Sequence, residues 1–285
     1  MSLLERDAFV VAVDDLVVEF GNALHQPIAD RFLLDLAQVP QARLSQIWRD
    51  TIGGRVLWDA PVYEAFFRKV RAVNETLPAD RRLRVLLGDP DIDFSQVHSA
   101  ADIPETVDRD AFYADLVERE VLAAGRHAVL IAGADHLRRG VHANSGPDDP
   151  NVATLLDREH RDDLYVIYPL PDPALGGRVD ADLADWRRPS MARVDGTWLG
   201  ARELPHRVMG DDPAFDQQVD AVLWFGPTDT LTRSRADPAL YESGPYATEL
   251  ARRSIILSAY FGEHIDLVAE GRALATADPA LDHAP

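Results

Sequence analysis

A short apolar strand that ends in a polar cluster limits the folds open to this chain. Leu16, Val17 and Val18 form an apolar, largely β-branched run, which is typical of a strand covered on both faces. Glu19 follows at the carboxyl end of the run, and Gly21 permits a tight turn there. In open α/β sheets, ligands bind beside the carboxyl ends of the strands. The stretch therefore predicts an α/β fold with a functional site beginning at Glu19.

Side chains able to bind a ligand follow Glu19 directly. They are Asn22, His25 and Gln26, placed just before an amphipathic helix that should begin near Pro27. In the structural alternative, Glu19 pairs with an arginine and the others are turn residues. Because buried polar groups are costly, their gathering at one strand end favours a functional cluster. We therefore predict that Asn22, His25 and Gln26 bind the substrate.

The same alternation of strand and helix recurs along the chain. Segments with apolar runs at residues 83–91, 127–136, 164–168 and 219–227 predict further strands, and amphipathic segments between the earlier runs predict helices. Such alternation is typical of βαβ units. We expect a mainly parallel central sheet with flanking helices, in a single α/β domain over residues 1–285.

Three segments depart from this alternation. Residues 170–216 are rich in proline and aspartate, so we expect an irregular excursion there. Residues 245–274 have a helical pattern, which predicts a helical C-terminal tail. Residues 94–106 form a polar loop that is long enough to cover a site.

The composition excludes several partners and chemistries. The formal net charge of −19 disfavours nucleic acid and anionic membrane surfaces as partners. Because the chain has no cysteine, disulfides, thiolate nucleophiles and cysteine-based zinc sites are excluded. No apolar run reaches the ~20 residues of a membrane span, and the first residues lack the pattern of a signal peptide. We expect a cytoplasmic protein whose partner is a small-molecule ligand.

Two further strand ends carry groups that suit acid–base chemistry. Asp89 ends the second predicted strand, and His136 follows the third in the string Gly133-x-x-His136. Because the carboxyl ends of parallel strands share one edge of a sheet, these groups and Glu19 can converge. A carboxylate paired with an imidazole suits a general base acting on water, and equally two ligands of a divalent metal. We predict Glu19 and His136 as catalytic residues and leave the metal open.

Structural roles remain open for the other candidates. Arg68 and Arg71, on the predicted helix at 61–73, could hold an anion near the strand ends or form structural ion pairs. Asp89 could be a turn residue, and His136 could bond a backbone carbonyl. We predict Arg68, Arg71 and Asp89 as substrate-binding residues. No Gly-x-Ser-x-Gly elbow occurs, which favours activated water over a serine nucleophile.

Three motifs together resemble a known superfamily. They are Val17-Val-Glu-Phe-Gly-Asn22, Arg82-Leu-Arg-Val-Leu-Leu-Gly-Asp-Pro90 and Ala128-Val-Leu-Ile-Ala-Gly-Ala-Asp-His136. The chain resembles uncharacterised bacterial proteins related to erythromycin esterase and the ChaN-like proteins, a superfamily that also includes TraB and TIKI. The resemblance implies an α/β fold with its site at the strand ends, and functions that range over water-mediated ester hydrolysis, haem binding and metal-dependent proteolysis. It also implies Glu19 and His136 as the matching core glutamate and late histidine.

One departure from the superfamily widens the functional hypotheses. Its members usually begin with an earlier strand that ends Gly-Glu-x-x-His, whereas here only Gly262-Glu263-His264 is similar, inside the predicted tail. The first hypothesis is a hydrolase that uses activated water on an ester-type substrate. The second is a non-catalytic protein that binds haem, through His25 or His136, or another small ligand. The third is a degenerate homologue without activity.

The missing motif also predicts an oligomer. Without the opening strand, a sheet edge near the Glu19 strand is expected to be exposed. Exposed edges invite pairing with another chain. We therefore expect a homodimer.

Overall fold

The α/β class is confirmed by a computed structural model, which describes residues 2–51, 56–103, 108–140, 150–171, 177–202 and 214–278. The strands are β1 (Asp15–Asn22), β2 (Arg84–Asp89), β3 (Ala128–Ile131), β4 (Ile167–Leu170), β5 (Ser190–Arg193) and β6 (Ala221–Trp224). The α-helices are α1 (Asp7–Ala12), α2 (Gln26–Leu33), α3 (Gln41–Leu44), α4 (Gln46–Arg49), α5 (Pro61–Asn74), α6 (Arg109–Val117), α7 (Val152–His160), α8 (Gly177–Asp182), α9 (Phe215–Gln218), α10 (Pro245–Phe261) and α11 (Leu267–Thr276).

The chain divides into two compact units. The first comprises Met1–Ile131 and Ser234–Ala277, and the second comprises Ala132–Arg233 and Asp278–Pro285. Each unit is built around its own three-stranded sheet. The single domain expected from the sequence stays a prediction.

The first unit contains a parallel sheet in the order β2-β1-β3. Strand β1 pairs with both neighbours from Asp15 to Val18. Its pairing with β2 is then interrupted and resumes at Asn22, which lies opposite Asp89. All eight residues of β1 are buried, as predicted for a strand covered on both faces.

Helix α5 packs its apolar side on an aromatic cluster at the end of β1. Phe66 and Phe67 are buried there, and the ring of Phe20 contacts the rings of Phe66 and Tyr63 with centroid distances of 5.3 and 5.0 Å. Edge-on and tilted ring contacts of this kind stabilise a core beyond the area that they bury. Because Phe20 follows Glu19, this packing fixes the backbone that carries the predicted glutamate.

The second unit has a mixed sheet in the order β4-β6-β5, so the expectation of one central sheet is wrong for these strands. β4 pairs with β6 in parallel, and β5 pairs with β6 in the antiparallel sense. The physical reason is a separate apolar cluster around Tyr168, Phe215 and Trp224, which gives β4 and β6 their own core. The segment predicted as irregular contains α8 and β5, while residues 172–176 and 203–213 lie outside the described residues.

The predicted C-terminal tail consists of two helices, α10 and α11. Gly262 ends α10 in the left-handed conformation, with φ of 70°. The string Gly262-Glu263-His264 therefore follows a helix and not a strand. Ser254 of α10 ties the two helices together, because its Oγ accepts from the backbone nitrogen of Leu267.

The exposed edge predicted beside Glu19 is not found at β1, which is the central strand of its sheet. Among the described strands of the first unit, β3 is an edge, and its Ile131 is 38% exposed. The homodimer stays a prediction. No helix of the described residues has the length and apolar character needed to cross a membrane.

Candidate functional site

Asn22 ties the end of β1 to two neighbouring loops. Its Nδ2 donates to the carbonyl oxygens of Asp50 at 2.6 Å and Ile92 at 2.8 Å, and its Oδ1 accepts from the backbone nitrogen of Leu24 at 2.8 Å. The residue is fully buried. The sequence predicts that Asn22 binds substrate. Its side-chain atoms instead make hydrogen bonds that hold these loops beside the end of β1.

Gln26 connects the start of α2 to β2. Its Nε2 donates to the carbonyl oxygen of Val85 at 2.9 Å and to Asp30 at 2.7 Å, and its Oε1 accepts from the backbone nitrogen of Leu87 at 2.9 Å. These contacts satisfy both ends of its amide within the fold. They give Gln26, also predicted to bind substrate, a structural role in the first unit.

Arg68 and Arg71 make the structural contacts that the sequence had left open as an alternative. The guanidinium of Arg71 donates to carbonyl oxygens at and after the end of α2, those of Phe32, Leu36 and Ala37. Such carbonyls have no partner within their own helix, which explains why a cation binds there. Arg68 lies on the surface, where its Nε donates to Glu64. Neither arginine is among the residues that line the groove described below.

Glu19 and Asp89 lie on neighbouring strands in a buried charged cluster. Asp89 ends β2 as predicted, whereas the prediction that Glu19 ends its strand is wrong, because β1 continues to Asn22 and pairs there with Asp89. Arg109 donates from Nε to Asp89 at 2.9 Å and from Nη2 to the hydroxyl of Tyr113 at 3.0 Å. Burial, and then the charge of Glu19, raises the pKa of Tyr63 to about 12. Burial opposes the charge of Arg109, yet the carboxylates of Asp89 and Glu19 raise its pKa. Arg109 is thus the cation that stabilises these two buried acids.

His25 forms a buried pair with Asp50. The Nε2 atom of His25 lies 2.9 Å from Oδ2 of Asp50, and His25 as a whole is 8% exposed. Burial alone would raise the pKa of Asp50, but the hydrogen bond with His25 and the charge of Arg253 hold it below its ordinary value. An ionised Asp50 places the proton of the ring on Nε2. Among the described residues, Nδ1 of His25 has no hydrogen-bond partner.

Arg253 supports this pair from α10. Its guanidinium donates to Asp50 at 2.6 Å, to Glu249 at 2.7 Å and to the carbonyl oxygen of Arg49 at 3.0 Å. Its Cζ lies 4.1 Å from the centroid of the Phe94 ring, a cation–π distance. The side chain is buried and all three of its nitrogens are used. Arg253 is therefore a structural support for Asp50.

A second buried carboxylate, Asp59, holds the adjoining wall. It accepts from the hydroxyls of Tyr241 at 2.8 Å and Tyr246 at 2.9 Å, and Nε of Arg49 lies 3.3 Å from its Oδ1. The Cζ atom of Arg49 lies 4.5 Å from the centroid of the Tyr246 ring. Burial raises the pKa of Asp59, although the tyrosine bonds and Arg49 act against that rise.

The pair formed by His25 and Asp50 borders a groove of about 820 Å³ in the first unit. The volume is that of a site for a small molecule. His25 and Asp50 lie in its wall with Arg43, Arg49 and Tyr246. Phe94 and Ser95, from the start of the predicted polar loop, also contribute, whereas residues 104–107 of that loop lie outside the described residues.

His136 belongs to the second unit, in a 3₁₀ turn at Ala134–His136. Asn151 holds this turn by donating to the carbonyl oxygens of Asp135 and Arg138, both at 2.8 Å. His136 itself is half-buried. Its predicted pairing with Glu19, a residue of the first unit, stays a prediction.

The described part of the first unit offers no ready metal site. No three histidine or carboxylate side chains there lie close enough to share an ion. His25 and Asp50 supply two such groups, but an ion between them would have to replace the hydrogen bond that joins Nε2 of His25 to Oδ2 of Asp50. The divalent metal or haem expected from the sequence stays a prediction.

Sequence reasoning missed the partners of His25. Asp50 lies just after α4 and Arg253 lies inside α10, so the pair is separated by 203 positions. One signal was present: Arg253 falls among the buried residues of α10, between Leu250 and Leu257. A charged residue on a helix face that is otherwise buried indicates a buried ion pair.

The fold and the groove define an α/β protein with a histidine–aspartate pair beside the carboxyl end of a parallel strand. No protein-family model, no curated protein and no solved structure matches the chain.

Proposed function

We propose that this protein is a hydrolase that cleaves an ester-type bond with water activated by His25. The observation that supports the proposal is the buried His25–Asp50 pair in the wall of the groove. A histidine held by a carboxylate through one ring nitrogen presents the other nitrogen as a base. Nδ1 of His25 has that role here.

The proposed reaction needs only groups of the groove and one water. Nδ1 of His25 takes a proton from the water as its oxygen attacks the ester carbonyl carbon. Asp50 stabilises the positive imidazole that results. The tetrahedral oxyanion then collapses and the bond to the alcohol oxygen breaks. His25 returns the proton to that oxygen, so that an acid and an alcohol leave.

Glu19 and His136 remain the catalytic residues proposed from the sequence, and they are the competing bases. Glu19 lies in β1, the strand that leads to His25, and its negative charge helps to raise the pKa of Arg109. We also propose the finer fold assignment, to the erythromycin esterase and ChaN-like superfamily. The placement of Glu19 and Asp89 on adjacent parallel strands supports it.

The test compares four variants with p-nitrophenyl acetate and butyrate as substrates, followed by the absorbance of released p-nitrophenolate. His25→Ala should lower kcat/KM by about 10²–10⁴-fold, the usual value of a positioned general base. Glu19→Gln and His136→Ala test the competing assignments. His98→Ala removes an exposed histidine and should leave the rate unchanged, which controls for unspecific catalysis by surface imidazoles.

Two results would overturn the proposal. If His25→Ala keeps the wild-type rate while Glu19→Gln or His136→Ala loses it, the base is misassigned. If the wild-type protein hydrolyses neither ester, the chain is not an esterase of this kind. Titration with haem, read by the Soret band, and elemental analysis for divalent metal would then test the ligand-binding hypothesis.

A further inference from the structure

The acids in the wall of the groove are all engaged by other groups of the protein. Asp50 is bound by His25 and Arg253, and Glu249 accepts from Arg252 and Arg253. The remaining acid of the lining, Asp93, accepts from the backbone nitrogen and hydroxyl of Ser95. Asp50 and Glu249 are therefore neutralised within the protein, whereas Asp93 accepts only from Ser95 and has no cationic partner among the described residues.

Two arginines of the same wall keep hydrogen-bond donors that have no partner in the described part of the chain. Arg43 is exposed and makes no ion pair with another residue in the described ranges. Arg49 uses only Nε toward Asp59, at 3.3 Å, and within the described chain its two terminal nitrogens have no hydrogen-bond partner. Its side chain is 20% exposed, so the terminal nitrogens are accessible to a ligand.

Arg49 is also held in place before any ligand arrives. Tyr246 lies under its guanidinium and Asp59 lies beside Nε, while Asp59 is itself fixed by Tyr241 and Tyr246. A fixed guanidinium with two free donors matches the two oxygens of a carboxylate or phosphate.

The lining of the groove is balanced in charge, with Arg43, Arg49 and Arg253 against Asp50, Asp93 and Glu249, although the chain as a whole is strongly acidic. With a formal net charge of −19, the protein repels anions over most of its surface. A groove in which the guanidinium of Arg43 and the terminal nitrogens of Arg49 have no partner among the described residues is a place where an anion is repelled less than on the rest of the surface. A general anion-binding surface is not implied, because this effect is confined to the wall that carries Arg43 and Arg49.

We infer that the groove binds a substrate that carries an anionic group, carboxylate or phosphate, with Arg49 forming a two-point contact to it and Arg43 assisting at the rim. The inference rests on the proposed function, since it takes the same groove as the substrate site. It adds the substrate class: an ester in which one part of the molecule bears a negative charge next to the bond that His25 hydrolyses.

Binding is tested without catalysis by isothermal titration calorimetry with inorganic phosphate and with glutarate at low ionic strength. Arg49→Met should weaken binding of at least one of these anions by about tenfold, and Arg43→Gln by about two- to fivefold. Arg119→Gln removes an equal charge from an exposed ion pair with Asp115 and should change neither affinity. Whether phosphate or glutarate binds more tightly identifies the type of anion.

Replacing Arg49 leaves the buried carboxylate of Asp59 without its paired cation, which destabilises the fold. A loss of anion binding must therefore be distinguished from a loss of folded protein. The double variant Arg49→Met/Asp59→Asn removes both charges of the pair and should fold while still failing to bind the anion. Arg43→Gln, at an exposed position, provides an independent measurement that destabilisation cannot explain. Equal anion affinity in wild type, Arg49→Met and Arg43→Gln would overturn the inference.

A kinetic comparison distinguishes failure of this inference from failure of the proposed function. Mono-p-nitrophenyl adipate and its mixed methyl ester differ in one negative charge and one methyl group, and the adipate carboxylate does not readily attack its own ester bond. The wild type should prefer the charged ester, and Arg49→Met should lose that preference while still hydrolysing the neutral one. Hydrolysis without a charge preference would refute the anionic substrate alone. Arg49-dependent anion binding without any hydrolysis would refute the esterase and retain the anion site.

Discussion

The Nε2 atom of His25 lies 2.9 Å from Oδ2 of Asp50, and the other oxygen of Asp50 accepts from Arg253 at 2.6 Å. One carboxylate therefore joins the start of α2 to α10. The fold tolerates His25, Asp50 and Arg253 away from solvent because each forms a hydrogen bond with another of the three. The same contacts that build the proposed site thus hold two distant parts of the first unit together.

The first prediction concerns Asp50→Asn. The amide keeps the shape of the side chain but removes the charge that stabilises a protonated His25, so kcat/KM for ester hydrolysis should fall by about 10²-fold or more. The free energy of unfolding should fall by about 2–3 kcal/mol, because Arg253 stays buried with less compensation. Steady-state kinetics and urea unfolding measure the two effects.

Arg253→Met separates catalysis from stability in the same network. It removes the cation and leaves the hydrogen bond between His25 and Asp50 in place. We expect a loss of stability similar to that of Asp50→Asn and a smaller loss of kcat. Equal losses of kcat in both variants would mean that Asp50 acts only through the fold.

The second prediction concerns Gln26, whose amide bonds β2 at the carbonyl oxygen of Val85 and the backbone nitrogen of Leu87. Gln26→Leu leaves both groups buried without a partner, which should cost about 1–3 kcal/mol of unfolding free energy. KM should not change, since the side chain is used within the fold. Gln41→Ala, at an exposed glutamine, is the control and should cost less. A raised KM with unchanged stability would restore the substrate-binding role predicted from the sequence.

The sequence predicts the first sheet because its signals are local. Apolar runs closed by glycine and a carboxylate identify β1 and β2, and they place Asp89 correctly at the end of β2, whereas β1 continues past Glu19 to Asn22. The side chains that complete the groove could not be found in this way. Helical spacing places Arg71 on a face of α5, but it does not show that the free carbonyls of α2 lie within its reach.

The second sheet shows the same limit at a larger scale. The apolar pattern indicates that β4 and β6 are strands. The sequence of a strand, however, contains little information on which other strand it pairs with. Pairing is decided by burial of side chains such as Tyr168 and Trp224 in a core of their own. In the first unit, the hydrogen bond from Arg253 to Asp50 joins positions that are 203 residues apart in the sequence. A periodic pattern of apolar residues cannot predict such a contact.

The third prediction concerns acid stability and Asp15, a fully buried carboxylate at the start of β1. Arg84 and Arg126 bind it, with Nε–oxygen distances of 2.9 and 2.6 Å. Burial alone would raise its pKa, but the two arginines hold it below the ordinary value of 3.8. Asp15→Asn should cost about 2–3 kcal/mol of unfolding free energy at neutral pH, since the two arginines lose their shared partner.

The sign of the pH effect follows from that lowered pKa. A carboxyl that is more acidic in the folded state stabilises the protein above its unfolded pKa and loses this contribution as the pH falls through its folded pKa. The stability difference between wild type and Asp15→Asn should therefore be constant at neutral pH and shrink below about pH 3.8. Urea unfolding at several pH values measures it. Asp115→Asn, in an exposed ion pair, should cost less than about 1 kcal/mol, and an equal cost would contradict the argument.

The fourth prediction concerns Gly271 in α11, where a Cβ would overlap the ring of Tyr241. In an open helical position, replacing glycine by alanine stabilises a protein by about 0.5–1 kcal/mol. Here the methyl group must push aside a ring whose hydroxyl donates to the buried Asp59 at 2.8 Å. Gly271→Ala should therefore destabilise the protein, by about 1–3 kcal/mol.

Tyr241→Phe isolates the part of this effect that belongs to the hydroxyl. It removes the bond to Asp59 without a clash and should cost about 1–2 kcal/mol. Because Gly271→Ala and Tyr241→Phe act on one ring, their effects should add incompletely in the double variant. Thermal or urea unfolding of the three variants gives the coupling. A stabilising Gly271→Ala would mean that the ring has room to move, and that Asp59 is held mainly by Tyr246 and Arg49.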